Sequence, residues 1–367
     1  MVCSTAILST SLALSLLRHS SPPNLSFVLS PFSLNTALSI VHDGADGDTQ
    51  KELTDLLLNG CSPTDVTNLY SSLARSLPNK NGTGVIFKTA NRFYVDHSIS
   101  LKKDYQEHVD EKYNVKVVNV NLSNKFKAAK RMNTFIYRAT NGKMRKIVTA
   151  DKIDDKTKAV LINTLYILAK WKYPFRPEFP WSRTVFHGNE GDRKMEFMTQ
   201  RNTFRANRFN DIGTLLITPY QDERFNFFYL MPNESSTIDA MRKELTGEKL
   251  MTLLKESNET YLDIFVPKFK VESEMNGKDV LEKMGVSKIF IDSAELEKIS
   301  PNKLFIDKIQ HNAVLETDEL GTEAAAVTEF QFLAGASPYS PPSIHIDHPF
   351  LFGIIRDDDI LFIGQFV

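Results

Sequence analysis

The most suggestive spacing in this chain lies in the segment Glu316–Leu333, which reads ETDELGTEAAAVTEFQFL. From Thr322 onward its side chains alternate with the period of two that is typical of a β-strand. One face carries only uncharged residues, small ones first and large ones last: Thr322, Ala324, Ala326, Thr328, Phe330 and Phe332. Both carboxylates of the stretch, Glu323 and Glu329, fall on the opposite face. This pattern predicts a strand that can enter a packed sheet with its uncharged face buried.

The residues that follow this strand-like stretch predict an exposed loop. They are rich in glycine, serine and proline, namely Gly335, Ser337, Pro338, Ser340, Pro341 and Pro342. These residue types dominate turns and surface loops. A segment that is patterned for a sheet interior but ends in an exposed loop predicts two alternative states of the same residues.

The sequence carries none of the common signatures of catalysis. It contains no G-x-S-x-G, H-E-x-x-H, G-x-G-x-x-G or G-x-x-x-x-G-K-[ST] motif, and its eight histidines are scattered. Its two cysteines, Cys3 and Cys61, do not form a metal-binding cluster with histidines. We therefore expect no enzymatic activity, cofactor or metal.

The strand-like segment resembles the hinge of the serpins, a family of protease inhibitors that trap their target by loop insertion. Beyond the hinge, similar motifs occur in the family's order along the chain: Ser30-Pro31-Phe32-Ser33, residues 44–49, 90–94, 161–171 and 266–272, and His348–Phe352. Phe135, where the family usually has Trp, and Leu168-Ala169, where it usually has Phe-Gly, indicate a divergent member. The resemblance implies one serpin domain over residues 1–367 with a reactive loop at about residues 319–345. Its hinge would comprise Glu319, Gly321, Thr322, Glu323, Ala324, Ala325, Ala326, Val327 and Thr328.

The fold expected from the resemblance is α+β, with helices packed on a large central sheet, two further sheets and an exposed reactive loop. Patterning alone also favours α+β, because predicted helices cluster in the first half and predicted strands in the second. The predicted helices are Ser4–Arg18, Leu34–Val41, Thr49–Leu58, Thr64–Leu77, Lys102–Tyr113, Lys125–Thr140 and Asn276–Met284. The predicted strands are Gly84–Tyr94, Ala159–Leu168, Asn226–Leu230, Thr260–Phe269, Lys308–Glu316, Phe350–Ile355 and Ile360–Phe366.

The resemblance implies inhibition by a suicide-substrate mechanism. A serine protease would attack a peptide bond of the loop and form an acyl-enzyme, and the freed hinge would then enter the sheet as a new strand. The alternative is a non-inhibitory serpin that acts as a carrier or chaperone. Charged or bulky residues on the inward face of the hinge would favour that alternative. Thr322, Ala324, Ala326 and Thr328 argue against it.

Family spacing from Glu319 implies that the reactive bond joins Gly335 to Ala336, with Leu333 or Ala334 as alternatives on the acyl side. No Lys or Arg lies between Glu319 and His345, so a trypsin-like target is not expected. The small and apolar residues of this stretch instead suit an elastase-like, chymotrypsin-like or cathepsin L-like endopeptidase.

By the same resemblance, Ser30, Ser33, Asn163 and His311 map to a polar cluster, the shutter, beneath the central strands, and Trp171 maps to the top of the main sheet. A hydroxyl, an amide and an imidazole that are buried together can satisfy one another's hydrogen bonds. From the residues alone, the preferred interpretation of His311 is an ordinary buried histidine on a strand whose hydrogen bonds are satisfied.

Charge and the N-terminus bear on partners and compartment. The net charge of −1 predicts no global attraction to nucleic acid or membrane, and we expect a monomer that is prone to loop–sheet polymers. Residues 113–150 contain no carboxylate but many cations, so Lys125, Lys127, Lys130 and Arg131 form a candidate polyanion site, or simply a solvated face.

No Lys or Arg precedes the apolar segment Ala6–Leu17, which favours a retained helix over a signal peptide. We therefore expect a cytoplasmic location. Five N-x-S/T sequons leave the extracellular space as the alternative, and two cysteines make a disulfide framework unlikely.

Overall fold

The computed structural model describes residues 5–58, 60–77, 84–89, 91–140, 142–154, 157–177, 185–322 and 341–367. The described residues form the following α-helices: α1 (Thr5–Ser20), α2 (Pro31–Gly44), α3 (Gly47–Leu58), α4 (Pro63–Ser76), α5 (Lys103–Tyr113), α6 (Lys125–Ala139), α7 (Ile238–Glu244), α8 (Gly247–Lys255) and α9 (Gly277–Lys283). Seven of them match the predicted helices to within a few residues. Helices α7 and α8 were not predicted.

The first half of the chain and the long middle segment provide these strands: β1 (Phe27–Leu29), β2 (Val85–Thr89), β3 (Arg92–Asp96), β4 (Lys116–Val120), β5 (Ala159–Lys170), β6 (Arg176–Pro177), β7 (Val185–Gly188), β8 (Gly191–Lys194) and β9 (Phe197–Phe209). The remaining strands are β10 (Gly213–Pro219), β11 (Phe225–Pro232), β12 (Asn258–Pro267), β13 (Phe269–Asn276), β14 (Lys308–Thr317), β15 (Gly321–Thr322), β16 (Ser343–His345), β17 (Phe350–Arg356) and β18 (Asp359–Phe366).

The described strands form three sheets. The main sheet has the order β13-β14-β15-β5-β3-β4, and β2 also pairs with β5. A second sheet has the order β1-β18-β17-β11-β10-β9-β12-β16, with β6 paired to β9, and β7 and β8 form a separate hairpin. The predicted α+β class with a large central sheet and two further sheets is confirmed.

Two predicted strands are divided in the structure. The prediction of one strand over Thr260–Phe269 was wrong, because β12 belongs to the second sheet and β13 to the main sheet. The chain changes sheets at Lys268, directly after Pro267, whose ring nitrogen cannot donate a ladder hydrogen bond. The predicted strand Gly84–Tyr94 is likewise divided into β2 and β3, although both pair antiparallel with β5.

Helix α1 packs into the core through its leucines. Leu12, Leu14, Leu16 and Leu17 are all buried, as expected for a retained helix of the fold. Cys61, which follows α3, is disulfide-bonded. No helix in the described part of the chain is long and apolar enough to cross a membrane.

Candidate functional site

Strands β14 and β5 of the main sheet pair directly along one part of their length and are separated by β15 along another. We call the boundary between β14 and β5 the seam; it is closed where the two strands pair and open where β15 lies between them. The two strands pair in parallel from Lys308 opposite Val160 to Ala313 opposite Leu165. Beyond this point β15 lies between them, antiparallel to both, with Thr322 opposite Thr317 of β14 and Ala169 of β5. Gly321 and Thr322, two of the residues predicted for the hinge, are therefore part of the sheet.

A tight turn at Asp318 returns the chain from β14 into this seam. The Asp318 carboxylate accepts hydrogen bonds from the backbone N–H groups of Leu320 (2.8 Å) and Gly321 (3.0 Å), as Asp commonly does in turns. Any side chain at position 321 would collide with the β5 backbone, because a Cβ there would lie 2.8 Å from the Cα of Lys170. The sequence Asp-x-x-Gly therefore permits the close approach that threads β15 between its neighbours.

Trp171, directly after β5, forms hydrogen bonds with the turn at Asp318. Its side chain is 1% exposed, and its indole N–H donates to the Asp318 carbonyl at 2.8 Å. Its backbone N–H donates to the Leu320 carbonyl at 3.0 Å. The indole also stacks on the Tyr220 ring, with centroids 4.6 Å apart and planes inclined by 3°. We call Trp171, Tyr220 and Asp318–Thr322 the breach cluster.

Thr322 faces the interior of the molecule, as the alternating pattern predicts. Its residue is 1% exposed, and its hydroxyl lies 2.5 Å from the hydroxyl of Tyr220. Burial raises the pKa of Tyr220, so the phenol is neutral and can share this hydrogen bond. A small, uncharged residue at position 322 therefore fits the space that it enters.

Glu319 lies on the outer side of the turn and is tied to the second sheet. Its carboxylate is 2.6 Å from the Lys268 ammonium, which also contacts Glu196 at 3.0 Å. Partial burial opposes the charge on Lys268, but its hydrogen bonds to Glu319 and Glu196 raise its pKa. The backbone carbonyl of Glu319 also accepts from Phe175 N–H at 2.7 Å. These contacts fix the base of the hinge.

The four predicted shutter residues, Ser30, Ser33, Asn163 and His311, lie together beneath the closed part of the seam, and we call them the shutter cluster. Asn163 of β5 and His311 of β14 are directly opposite each other in the sheet. His311 Nε2 accepts from the Ser30 backbone N–H at 3.0 Å, so Nδ1 carries the proton and donates to Asn163 Oδ1 at 2.5 Å. The Asn163 amide nitrogen lies 2.7 Å from both the carbonyl and the hydroxyl of Ser33.

The shutter cluster also fixes the start of helix α2. Ser30 is its N-cap, accepting from Ser33 N–H at 3.1 Å, and Pro31 occupies the first helical position, where its missing N–H has no consequence. The Ser30 hydroxyl donates to the Leu361 carbonyl of β18 at 2.7 Å. The cluster thus connects β14, β5, α2 and the second sheet through hydrogen bonds that span the seam.

Burial lowers the pKa of His311 to about 3, from an ordinary value near 6.5. Protonation of His311 would also place a hydrogen on Nε2. This atom could then no longer accept the hydrogen bond from the Ser30 backbone N–H, and the two donors would face each other. Below pH 6.5 the unfolded chain gains a proton here that the folded chain does not, so stability is lost between pH 6.5 and pH 3.

We expect this histidine to give the protein a measurable acid sensitivity. Each pH unit inside the window should cost about 1.4 kcal/mol, or about 2–3 kcal/mol between pH 6.5 and pH 4.5. Urea unfolding of the wild type and of His311→Gln at both pH values isolates this contribution, since other titrating groups are common to both. An equal pH dependence in the two proteins would contradict a buried neutral imidazole.

Most of the hinge and the whole predicted reactive bond lie outside the described residues. This applies to Glu323, Ala324, Ala325, Ala326, Val327 and Thr328 of the hinge, and to Leu333, Ala334, Gly335 and Ala336. Their assigned roles stay predictions.

Sequence reasoning missed several residues that contact the predicted ones. Tyr220 and Lys268 come from strands of the second sheet or their connections, and Asn91 Oδ1 lies 2.7 Å from the Asn163 amide nitrogen. Asp318 did have a local signal, because Asp three residues before Gly is a common turn pattern. Asn91 and Lys268 lie within the family-like motifs at residues 90–94 and 266–272, but those motifs gave no sign of these contacts, and Tyr220 belongs to no motif.

The predicted polyanion site lies on helix α6. The helix packs on the main sheet through Ala128, Ala129, Met132 and Ile136. Lys127, Lys130 and Arg131 are exposed, and Lys125 is half-buried. Phe126, beside them in the first turn, is 82% exposed. The four basic residues therefore share one helix, with three of them on its solvent face.

Comparison with known proteins identifies the family. The family model described as serpin (serine protease inhibitor) matches residues 8–367. The chain is 32% identical over 351 residues to serine protease inhibitor 42Dd of Drosophila melanogaster, covering 94% of this chain and 91% of that protein. It is 29% identical to human serpin B9, covering 94% and 93% of the two chains. This chain belongs to the serpin family.

Solved structures agree with this assignment. The crystal structure of Serpin48, described as a highly specific serpin of the insect Tenebrio molitor, superposes with a TM-score of 0.84 at 28% identity, covering 98% of this chain and 96% of that one. Human thyroxine-binding globulin, solved in complex with thyroxine, superposes with a TM-score of 0.87 at 22% identity, covering 99% and 98% of the chains. The second likeness concerns the fold alone.

Proposed function

We propose that this chain is a single-domain inhibitory serpin that traps an endopeptidase as a covalent acyl-enzyme by inserting its cleaved loop into the main sheet. The observation that carries the proposal is β15, whose two residues already lie between β14 and β5 at the open end of the seam. The chain that follows continues an uncharged inward face in register with Thr322. The described start of the segment, Gly321 and Thr322, is thus aligned with the seam in the uncut chain.

Insertion requires the closed part of the seam to separate. The parallel pairing between residues 308–313 and 160–165 would be replaced by two antiparallel ladders, one on each side of the new strand. Antiparallel pairs are slightly more stable per residue than parallel ones. The new strand would also bury Phe330 and Phe332, at about 1.5–3 kcal/mol each. The exchange is therefore favourable once cleavage frees the loop.

The shutter cluster would control this separation. The hydrogen bond between His311 and Asn163 joins β14 to β5 directly across the seam, and it must break before a strand can pass between them. Both residues retain other partners, since Ser30 bonds His311, and Ser33 and Asn91 bond Asn163. Opening therefore frees only the Nδ1–H of His311 and the Oδ1 of Asn163, so its cost is that of one buried hydrogen bond unless the inserting strand provides new partners for these two atoms. We assign these residues a structural role and no catalytic one.

We infer that the target is an endopeptidase of elastase-like, chymotrypsin-like or cathepsin L-like preference, cutting at Gly335–Ala336 or after Leu333 or Ala334. The support is the absence of Lys and Arg between Glu319 and His345. A panel of elastase-, chymotrypsin-, trypsin- and cathepsin L-type enzymes tests this. We expect complexes that survive boiling in detergent with at least one of the first two or the last. Mass spectrometry of the released C-terminal peptide identifies the bond.

A carrier or chaperone function is the alternative within the family, because the thyroxine-binding globulin fold shows that the same architecture serves hormone binding. Such a protein would be cut by the panel without forming any detergent-stable complex. The uncharged residue Thr322, seated in the seam, favours inhibition.

We also propose that the exposed face of α6 binds a polyanion such as heparin. Lys127→Gln/Lys130→Gln should elute from heparin at lower salt than the wild type, because each cation lost removes a contact that releases counterions. Lys278→Gln, on the distant helix α9, serves as the charge-matched control. Equal elution of all three proteins, or no retention of the wild type, would rule out this site.

The compartment stays a prediction, cytoplasmic first and extracellular as the alternative. The disulfide at Cys61 favours the alternative, because disulfide bonds persist mainly in oxidising environments. We propose to detect the full-length protein in the medium and in the lysate of expressing cells under non-reducing conditions. Recovery from the medium would support secretion, and recovery from the lysate alone would support the cytoplasm.

A further inference from the structure

Two arginines on neighbouring helices each bind the carbonyl end of the other's helix. Arg242 of α7 donates from Nη2 to the carbonyl oxygens of Leu17 (3.1 Å) and Ser21 (2.9 Å), at the end of α1. Arg18 of α1 donates from Nε to the Arg242 carbonyl at 2.6 Å and from Nη2 to the Leu245 carbonyl. This reciprocal arrangement places two guanidinium groups side by side.

The arrangement leaves hydrogen-bond donors of Arg242 without partners. Arg242 is 4% exposed, yet its Nε and Nη1 groups have no hydrogen-bond partner anywhere in the described chain. Burial lowers the pKa of both arginines, and the charge of Arg18 lowers that of Arg242 further, against the opposing effect of Asp239. A buried cation with unused donors is costly unless an anion completes its hydrogen bonds.

A surface pocket of about 390 Å³ opens beside these arginines, within the size range of roughly 300–1,000 Å³ that is usual for small-molecule sites. Its charged and titratable lining consists of Arg18, His19, Asp239, Arg242, Lys243 and Lys283. The Asp239 carboxylate is engaged by Lys243 at 2.7 Å. Lys283, exposed at the end of α9, makes no ion pair with any residue that the structure describes. The pocket therefore has an excess of positive charge from three helices.

We propose that this pocket binds a phosphate or sulfate group, as the free ion or as part of a small monoester. Guanidinium groups match the geometry of tetrahedral oxyanions, and the planar fork of each arginine keeps donors available after it has bonded the helix ends. Lys283, which also lines the pocket, would supply a further cation from α9. The ligand would bridge α1, α7 and α9, so its binding should stabilise the folded protein.

Calorimetric titration and thermal unfolding test the site, with inorganic phosphate, inorganic sulfate and glucose 6-phosphate as probes at constant ionic strength and sodium chloride as the reference salt. We expect saturable binding and a rise in Tm. Lys283→Gln should weaken binding by about tenfold or more, the effect of losing one charge-assisted hydrogen bond. Lys278→Gln is the matched control, because Lys278 lies on the same helix but outside the pocket.

The choice of Lys283 avoids a folding artefact, since an Arg242 variant would also remove the bonds that hold the end of α1. Binding of the inorganic ions as tightly as the sugar phosphate would identify the free ion as sufficient, and tighter binding of glucose 6-phosphate would identify a monoester site. Both outcomes support the proposal. It would be overturned if no probe bound above the chloride reference, or if Lys283→Gln and the wild type bound equally.

Discussion

Cutting the chain between residues 333 and 339 should raise the temperature at which it unfolds. The intact protein should melt in the usual mesophile range of roughly 45–65 °C. After the cut, residues 323–332 can continue β15 along the seam, pair on both edges and bury Phe330 and Phe332. A gain of about 10 kcal/mol from this strand corresponds to a rise of about 10 °C or more for a chain of this size. A calorimetric scan before and after limited proteolysis measures the change.

The sequence pattern supplies a control for this experiment. Ala324→Arg should be cut equally well, but a charge on the inward face should prevent the gain in Tm. A cut in a loop that cannot insert removes a constraint and adds no contact. Equal or lower melting of the cut wild type would therefore refute insertion and leave the carrier alternative.

The prediction of a hinge rests on a local pattern in the sequence. A strand that must enter a sheet needs alternation, small inward residues and no inward charge, and all three are legible in residues 322–332. The position of Thr322 agrees with this reading, since it lies buried against Tyr220. What the pattern could not give is that Gly321 and Thr322 lie in the main sheet, between β14 and β5. That depends on the turn at Asp318 and on Trp171, whose contacts join distant parts of the chain.

The contacts of the shutter cluster, in contrast, could not be predicted from the local sequence pattern. Nothing near His311 in sequence indicates that its ring bonds Ser30, which is 281 residues away. From the residues alone an ordinary buried histidine is the preferred interpretation, and only the family resemblance groups it with Asn163 and Ser33. The hydrogen bonds between them exist because β14 and β5 are adjacent in the sheet, a relation that local periodicity does not encode.

Only some of the elements that were missed have a physical explanation. Helices α7 and α8, of seven and nine residues, were missed although α9, also of seven residues, was predicted, so length alone does not explain the difference. Strand β9 alternates exposed and half-buried residues with charged side chains such as Arg201 and Arg205, so it lacks the apolar run that marked the other strands. The reciprocal binding of Arg18 and Arg242 depends on how α1 and α7 pack, and neither arginine stands out in the sequence.

Replacing Ala324 with Arg should convert the protein from an inhibitor into a substrate. Position 324 follows Thr322 on the inward face, so insertion would bury the new charge with no carboxylate partner in the pattern. If burial of the charge raises the free energy of the transition state for insertion by about 3 kcal/mol, insertion slows by roughly a hundredfold. Water then hydrolyses the acyl-enzyme before insertion is complete. The measurement is the ratio of cleaved inhibitor to covalent complex on a denaturing gel at increasing protease concentration.

Position 324 is a better test than position 322. Thr322 is already buried in the intact protein, so an Arg there would destabilise the native state as well as block insertion. Ala325→Arg is the matched control, since the same residue type then falls on the face that carries Glu323 and Glu329. We expect Ala325→Arg to retain complex formation within a few fold of the wild type, and the intact proteins to unfold at similar temperatures. If Ala324→Arg and Ala325→Arg form covalent complex equally well, the inward face of the hinge does not enter the sheet and the inhibitory mechanism proposed for this chain is wrong.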